Sequence, residues 1–175
     1  MLLPQTLLAG AAWDFKRSRY TRLEGFRKVV EQVQAEVHGV NGHWNLDATA
    51  IPQQHIRVRY YGHHSRSNEA IIATLRSEKP EGFTNIELLY RLHELVHREH
   101  ANGKSACLHG LEFQAAETEL QPLLPPLYTL CTYGDLSTRD ECLTCVMARA
   151  LQVSNPSQHP DWRPEETIAE DFYAA

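Results

Sequence analysis

TNIELLYRLHELVHREH, residues 84–100, is the most strongly patterned stretch of this 175-residue chain. Leu88, Leu89, Leu92, Leu95 and Val96 recur at three- to four-residue spacing, the period of a helix with one apolar face. Thr84 is a capping residue, Glu87 is its capping-box partner three positions on, and Asn102-Gly103 stops the run. The pattern predicts a helix from Asn85 to His100. At about 100° per residue, His93 and His97 fall about 40° apart on the flank of the apolar stripe, with Glu94 one step beyond them.

His93-Glu94-Leu95-Val96-His97 is H-E-x-x-H. Two imidazoles one helical turn apart converge on a single cation, and the Glu beside them reaches a metal-bound water without being a ligand. The expectation is one Zn2+ per chain, held by His93 and His97, with Glu94 as the general base of a hydrolase. A third ligand leaves the fourth position open for water. Downstream, His109 follows after eleven residues and Glu117 after nineteen, the latter at the spacing used when a Glu on the next helix closes the site; Glu112 stands between them. His100 lies on the motif helix itself and would have to reach across two turns, so it ranks last.

Working outward, Phe15, Leu23, Phe26, Val29, Val30, Val33 and Val37 predict a helix over 15–38, ended by Gly39 and Gly42. His55–Tyr61 alternates apolar and basic residues and reads as a half-buried strand, followed after a turn by an antiparallel strand over 69–75. A loop to Gly110, a helix over 111–121 closed by Pro122 and an extended 123–126 come next. Ser137 or Thr138 caps a last helix running to about Val153. The fold class expected is α+β: one domain over 1–153 with its core at about 55–121, then an acidic, proline-containing tail over 154–175.

Seventeen basic against 22 acidic residues give a net charge of −5, which excludes whole-protein attraction to nucleic acid but leaves room for a local patch. Lys16, Arg17, Arg19 and Arg22, interleaved with aromatics, are the candidate patch for DNA, set against an amphipathic helix whose aromatics simply enter the core. The tail, with Trp162, Ile168, Phe172 and Tyr173 among acidic residues, is a candidate docking peptide for a partner protein. No apolar run approaches the ~18 residues of a membrane-spanning helix, so no membrane role is expected. The apolar stretch Leu7–Trp13 has no basic residue before it, which reads as a mature cytoplasmic start. Cys107, Cys131 and the single C-x-x-C of Cys142 and Cys145 read as buried core thiols.

HELVH followed by His109-Gly110-Leu111-Glu112-Phe113 resembles the SprT-like (Spartan-type) zinc metalloproteases, whose pattern is H-E-x-x-H, a loop, then H-G-x-x-F/W. The resemblance covers about 55–121. It implies a zincin-like fold in which a small antiparallel or mixed sheet packs on the motif helix. It further implies zinc on His93, His97 and His109, with His109-Gly110 opening the next helix, and peptide-bond hydrolysis of protein substrates. DNA-associated proteins, as in DNA–protein crosslink repair, are the substrates it suggests. A four-cysteine zinc ribbon, common in bacterial members, is absent. A second resemblance, to ImmA/IrrE-like metallopeptidases, rests on Glu112–Leu120 and would make Glu117 the third ligand. Candidate oxyanion helpers are Tyr60, Tyr61, His63, His64 and Arg66. The remaining alternative is a non-catalytic zinc-binding interaction module.

Overall fold

The computed structural model describes residues 3–38, 44–61, 70–100 and 107–133, the side chains of 98–100 and 133 excepted. The expected C-terminal helix and acidic tail, with Cys142 and Cys145, lie outside the described residues, as do His63, His64 and Arg66. In chain order the elements are β1 (Thr6–Leu7), α1 (Leu23–His38), β2 (Thr49–Ile51), β3 (His55–Tyr61), β4 (Ala70–Arg76), β5 (Phe83–Thr84), α2 (Asn85–His100), β6 (Cys107–Phe113), α3 (Ala115–Leu120) and β7 (Leu127–Tyr133).

Five strands form a mixed sheet in the order β1-β6-β7-β3-β4; β7 runs parallel to β3 and the other pairs are antiparallel. The β3–β4 hairpin is the one expected, in register from His55↔Arg76 to Tyr61↔Ala70. Strand alternation divides the sheet chemically. Ile56, Val58 and Tyr60 point into a core shared with Leu88, Leu89, Leu92 and Val96 of α2 and with Phe26, Val30 and Val33 of α1. Arg57, Arg59 and Glu112 belong to the opposite face, where α3 lies: Arg59 pairs with its Glu117, and Arg59 and Glu112 both register with Thr129. The fold is α+β, with a mixed sheet and three described helices.

α2 has the bounds that its pattern predicts, and the Thr84 hydroxyl accepts from the Glu87 amide at 3.3 Å. The Glu87 carboxylate does not close the capping box. It accepts instead from Ser77 Oγ at 3.0 Å and from the Glu78 amide at 2.8 Å. The segment leading into β2, which pairs with β5, fixes where the helix begins, through Asn85 N–H to Ala48 O and Ile86 N–H to Leu46 O. Gly82, at φ +107°, permits this: a Cβ there would stand 2.2 Å from Ile51 O.

Three expectations are corrected. Helix α1 starts at Leu23, not Phe15. Trp13 and Phe15 are drawn into the core, and Asp14 Oδ1 accepts from the Lys16 amide in a turn, so Lys16, Arg17, Arg19 and Arg22 precede the helix. The helix expected over 111–121 shrinks to α3, which has no buried residue. Leu111 and Phe113 are taken by the sheet opposite Leu130 and Tyr128, making the H-G-L-E-F string a strand. The extended 123–126 gives way to a turn closed by Leu124 N–H to Gln121 O, followed by β7, which the sequence pattern did not disclose.

Candidate metal centre

His93 and His97 project from α2 with ring centroids 5.2 Å apart, the adjacency that i, i+4 spacing dictates. They do not face open solvent. Residues 7–20 run across them as a strap in which Leu7, Leu8, Ala11, Ala12, Trp13 and Phe15 are all buried. The buried Gln34 of α1 reads both sides of the Ala12 peptide, accepting from its N–H at 3.2 Å and donating to its C=O at 2.8 Å. Trp13 O accepts from the Leu108 amide at 2.8 Å, and Asp14 bridges to Cys107. The strap is thus tied to α1 on one side and β6 on the other.

Beneath it, the His93 ring is completely buried among aromatic rings, with Trp13, Tyr20 and Phe26 centred 5.4–5.5 Å away and Phe15 stacked at 6.4 Å. Both ring nitrogens are engaged. Trp13 Nε1–H donates to Nδ1 at 3.3 Å, and Nε2 lies 3.1 Å from Ser18 O. Burial holds the imidazole well below its ordinary range, at about 4, with His97 and Arg17 adding smaller downward pushes against the pull of the Ser18 carbonyl and Glu94. His97 is half-buried, with Nδ1 at 3.5 Å from Phe15 O. Glu94 is half-exposed and accepts from Arg91 Nη1 at 3.1 Å, while Arg91 Nη2 bonds Glu78 at 2.7 Å. Burial and then the Glu94 carboxylate raise the Tyr90 phenol above its usual range.

The third-ligand candidates are placed elsewhere. His109 is an exposed residue at the irregularity of β6, where pairing shifts between Leu108 and Gly110. Gly110 serves that bulge and not a helix start: at φ +148° it lets Leu7 O approach to 3.1 Å of where a Cβ would sit. Glu117 is gripped by both terminal nitrogens of Arg59, which holds its carboxyl below the usual range, and Glu112 shares that far face of the sheet. Among the described residues, no three His, Cys, Asp or Glu side chains gather in a way that could hold a metal ion. The donor types suit zinc, but among the described residues they do not form a site for it: one imidazole has both nitrogens engaged, and no third described donor stands beside the pair; the side chain of His100 lies outside the described residues.

Of the oxyanion candidates, Tyr60 is buried and Tyr61 is exposed at the end of β3. Trp13, Phe15 and Phe26 are core residues, so the aromatics of the basic segment are not presented to bases; Arg17 lies over the Trp13 ring at 5.6 Å. Cys107 is disulfide-bonded, correcting its reading as a thiol, whereas Cys131 is a half-buried free thiol. Trp13, Ser18 and Gln34 had no motif to mark them. The one signal was the apolar run 7–13, of which Leu7, Leu8, Ala11, Ala12 and Trp13 are core. Among the described residues no helix is long and apolar enough to cross a membrane. No family model, curated protein or solved structure matches the chain.

Proposed function

We propose that the chain is a zinc-dependent metallopeptidase of SprT-like type with a zincin-like fold, acting on protein or peptide substrates. The observation that carries the reading is the α2 triplet: two neighbouring imidazoles 5.2 Å apart, with the half-exposed Glu94 on the adjoining face of the same helix. In this reading His93, His97 and His109 are the metal donors and Glu94 is the base. DNA-associated proteins are the substrate class it extends to, with Lys16, Arg17, Arg19 and Arg22 as the contact to DNA. Because the donors are not assembled as described above, the reading requires the strap and the start of β6 to rearrange when metal binds.

The test is elemental analysis of the full chain after equilibration with ZnCl2, followed by casein cleavage with and without chelator. Expected are about one zinc per chain and chelator-sensitive cleavage. Glu94→Gln should keep the zinc and lose cleavage; His109→Ala should lose zinc. Zinc retained in full by His109→Ala would pass the third-ligand role to Glu117 or Glu112. The contact of Arg91 with the Glu94 carboxylate favours a second reading, a non-catalytic zinc-binding interaction module. Zinc binding with no cleavage of any substrate offered would support it.

A further inference from the structure

We propose that the acidic segment 161–171 is an intramolecular ligand for the basic segment 16–28. The inference needs neither metal nor turnover and goes beyond the reading above. Drawing Trp13 and Phe15 into the core leaves the charges that follow them outside: Lys16, Arg19, Arg22 and Lys28 are exposed, and Arg17 lies over the Trp13 ring. Elsewhere the fold matches its cations. Arg27 holds Asp47 and Glu31, Arg59 holds Glu117, and Arg91 holds Glu78 and Glu94. Among the described residues no carboxylate forms an ion pair with Lys16, Arg17, Arg19, Arg22 or Lys28. Cations crowded on one short segment repel one another, and an anionic segment laid along them relieves that repulsion.

The chain holds the complement and delivers it. Asp161, Glu165, Glu166, Glu170 and Asp171 stand against Arg163 alone, with Ile168 among them. The chain leaves β7 at Tyr133, which registers with Cys107, and Asp14 bridges to Cys107 from the other side. Two strand spacings put that exit about 10 Å from Asp14, and Lys16 follows Asp14 directly after Phe15. The about 28 residues from Tyr133 to Asp161 reach no further than about 100 Å when fully extended. The acidic segment is therefore held around the basic one at a concentration of at least about 0.4 mM. At that concentration a weak contact suffices. Several exposed ion pairs, each small alone, supply it, and Leu23, exposed next to Arg22, offers Ile168 an apolar contact. DNA, or an acidic partner protein, would reach the same cations only by displacing the segment.

A carbodiimide joins an amine to a carboxylate without a spacer, and the lysines of this chain are Lys16, Lys28, Lys79 and Lys104. The full chain is cross-linked at about 20 mM and at about 1 M NaCl, digested and mapped by mass spectrometry. At low salt, Lys16 and Lys28 should be joined to acidic residues of 161–171 of the same chain, at a yield at least about five-fold above that from Lys79 or Lys104; about 1 M salt should remove the excess. Amide signals of 16–28 in 1H–15N spectra should shift when Asp161→Asn, Glu165→Gln, Glu166→Gln, Glu170→Gln and Asp171→Asn are combined, while those of β3 stay in place. Links spread evenly over the lysines would overturn the proposal. So would links between chains that grow with protein concentration, or signals of 16–28 unmoved by neutralising the acids. The cross-linking arm uses the parent chain and needs no variant to fold. Neither arm contains zinc or DNA, so failure here leaves the metallopeptidase reading to its own test.

Discussion

On the sheet face that carries α2, an imidazole is buried without charge, whereas on the face that carries α3 a guanidinium is buried with it. His93 has no exposure and is lined by four aromatic rings; its hydrogen bonds come from one N–H and one C=O, matched to a neutral ring. Arg57 is 7% exposed and donates to Pro125 O at 2.8 Å and to Gln121 Oε1 at 2.6 Å, while its Nη2 has no partner among the described residues. Two residues along β3, Arg59 takes Glu117 as a carboxylate partner. Imidazole sheds its proton within reach of neutral pH, so an aromatic lining need only match a donor and an acceptor. A guanidinium stays charged, and the fold must supply it with oxygens. The first face should therefore respond to pH and the second to salt.

Four measurements test that contrast. His93→Ala leaves the Trp13 N–H and Ser18 C=O unpaired in an aromatic cavity and should cost about 3–5 kcal/mol in urea unfolding; a loss below about 1 kcal/mol would mean that the imidazole does not tie the strap to α2. Next is pH. The His93 value of about 4 lies below that of an unfolded chain, near 6.5, so as pH falls the unfolded chain takes up the proton first. The contribution is complete above about pH 6.5 and is lost as pH falls towards about 4, to the extent of about 3 kcal/mol. A His93→Gln variant should lack this slope, and parallel pH profiles for variant and parent would contradict the neutral-ring assignment.

Arg57→Met strands Pro125 O and Gln121 Oε1 but also relieves the desolvated Nη2, so the net loss should be smaller, about 1–2 kcal/mol, with the parent's pH slope between 4 and 7 unchanged. Smallest is Glu117→Gln. Its side chain is half-exposed, so the urea midpoint should move little at low salt and not at all at about 1 M salt. A large salt-independent loss would show that Arg59 and Glu117 belong to the buried network of Arg57.

The parts of the fold legible beforehand are those in which local period and burial agree. Helix α2 follows its pattern because five apolar residues at helical spacing follow a capping Thr84, and the β3–β4 hairpin keeps its alternation because one face is core. Residues 111–113 misled because Leu111-Glu112-Phe113 satisfies a period of two as well as the opening turn of a helix, and only pairing with β7 decides between them. Residues 15–22 misled because a basic, aromatic-rich stretch before a helix looks continuous with it. In the fold Trp13 and Phe15 are more valuable under α2 than on an exposed turn. Of the candidate centre, the adjacency of His93, Glu94 and His97 was legible because a single helix guarantees it. The distances from that helix to His109, Glu112 and Glu117 were not, because each crosses a change of element.

Legible in the residues alone are the β3–β4 hairpin, from its alternation, and the local contacts of the motif helix: its cap, the neighbouring imidazoles and the carboxylate beside them, which follow from 3.6 residues per turn. Which partners the two imidazoles meet is a matter of tertiary packing. That depends on an indole 80 residues away and on backbone carbonyls at Phe15 and Ser18. A carbonyl carries no residue identity, and a lone pair belongs to whichever partner the packing brings to it.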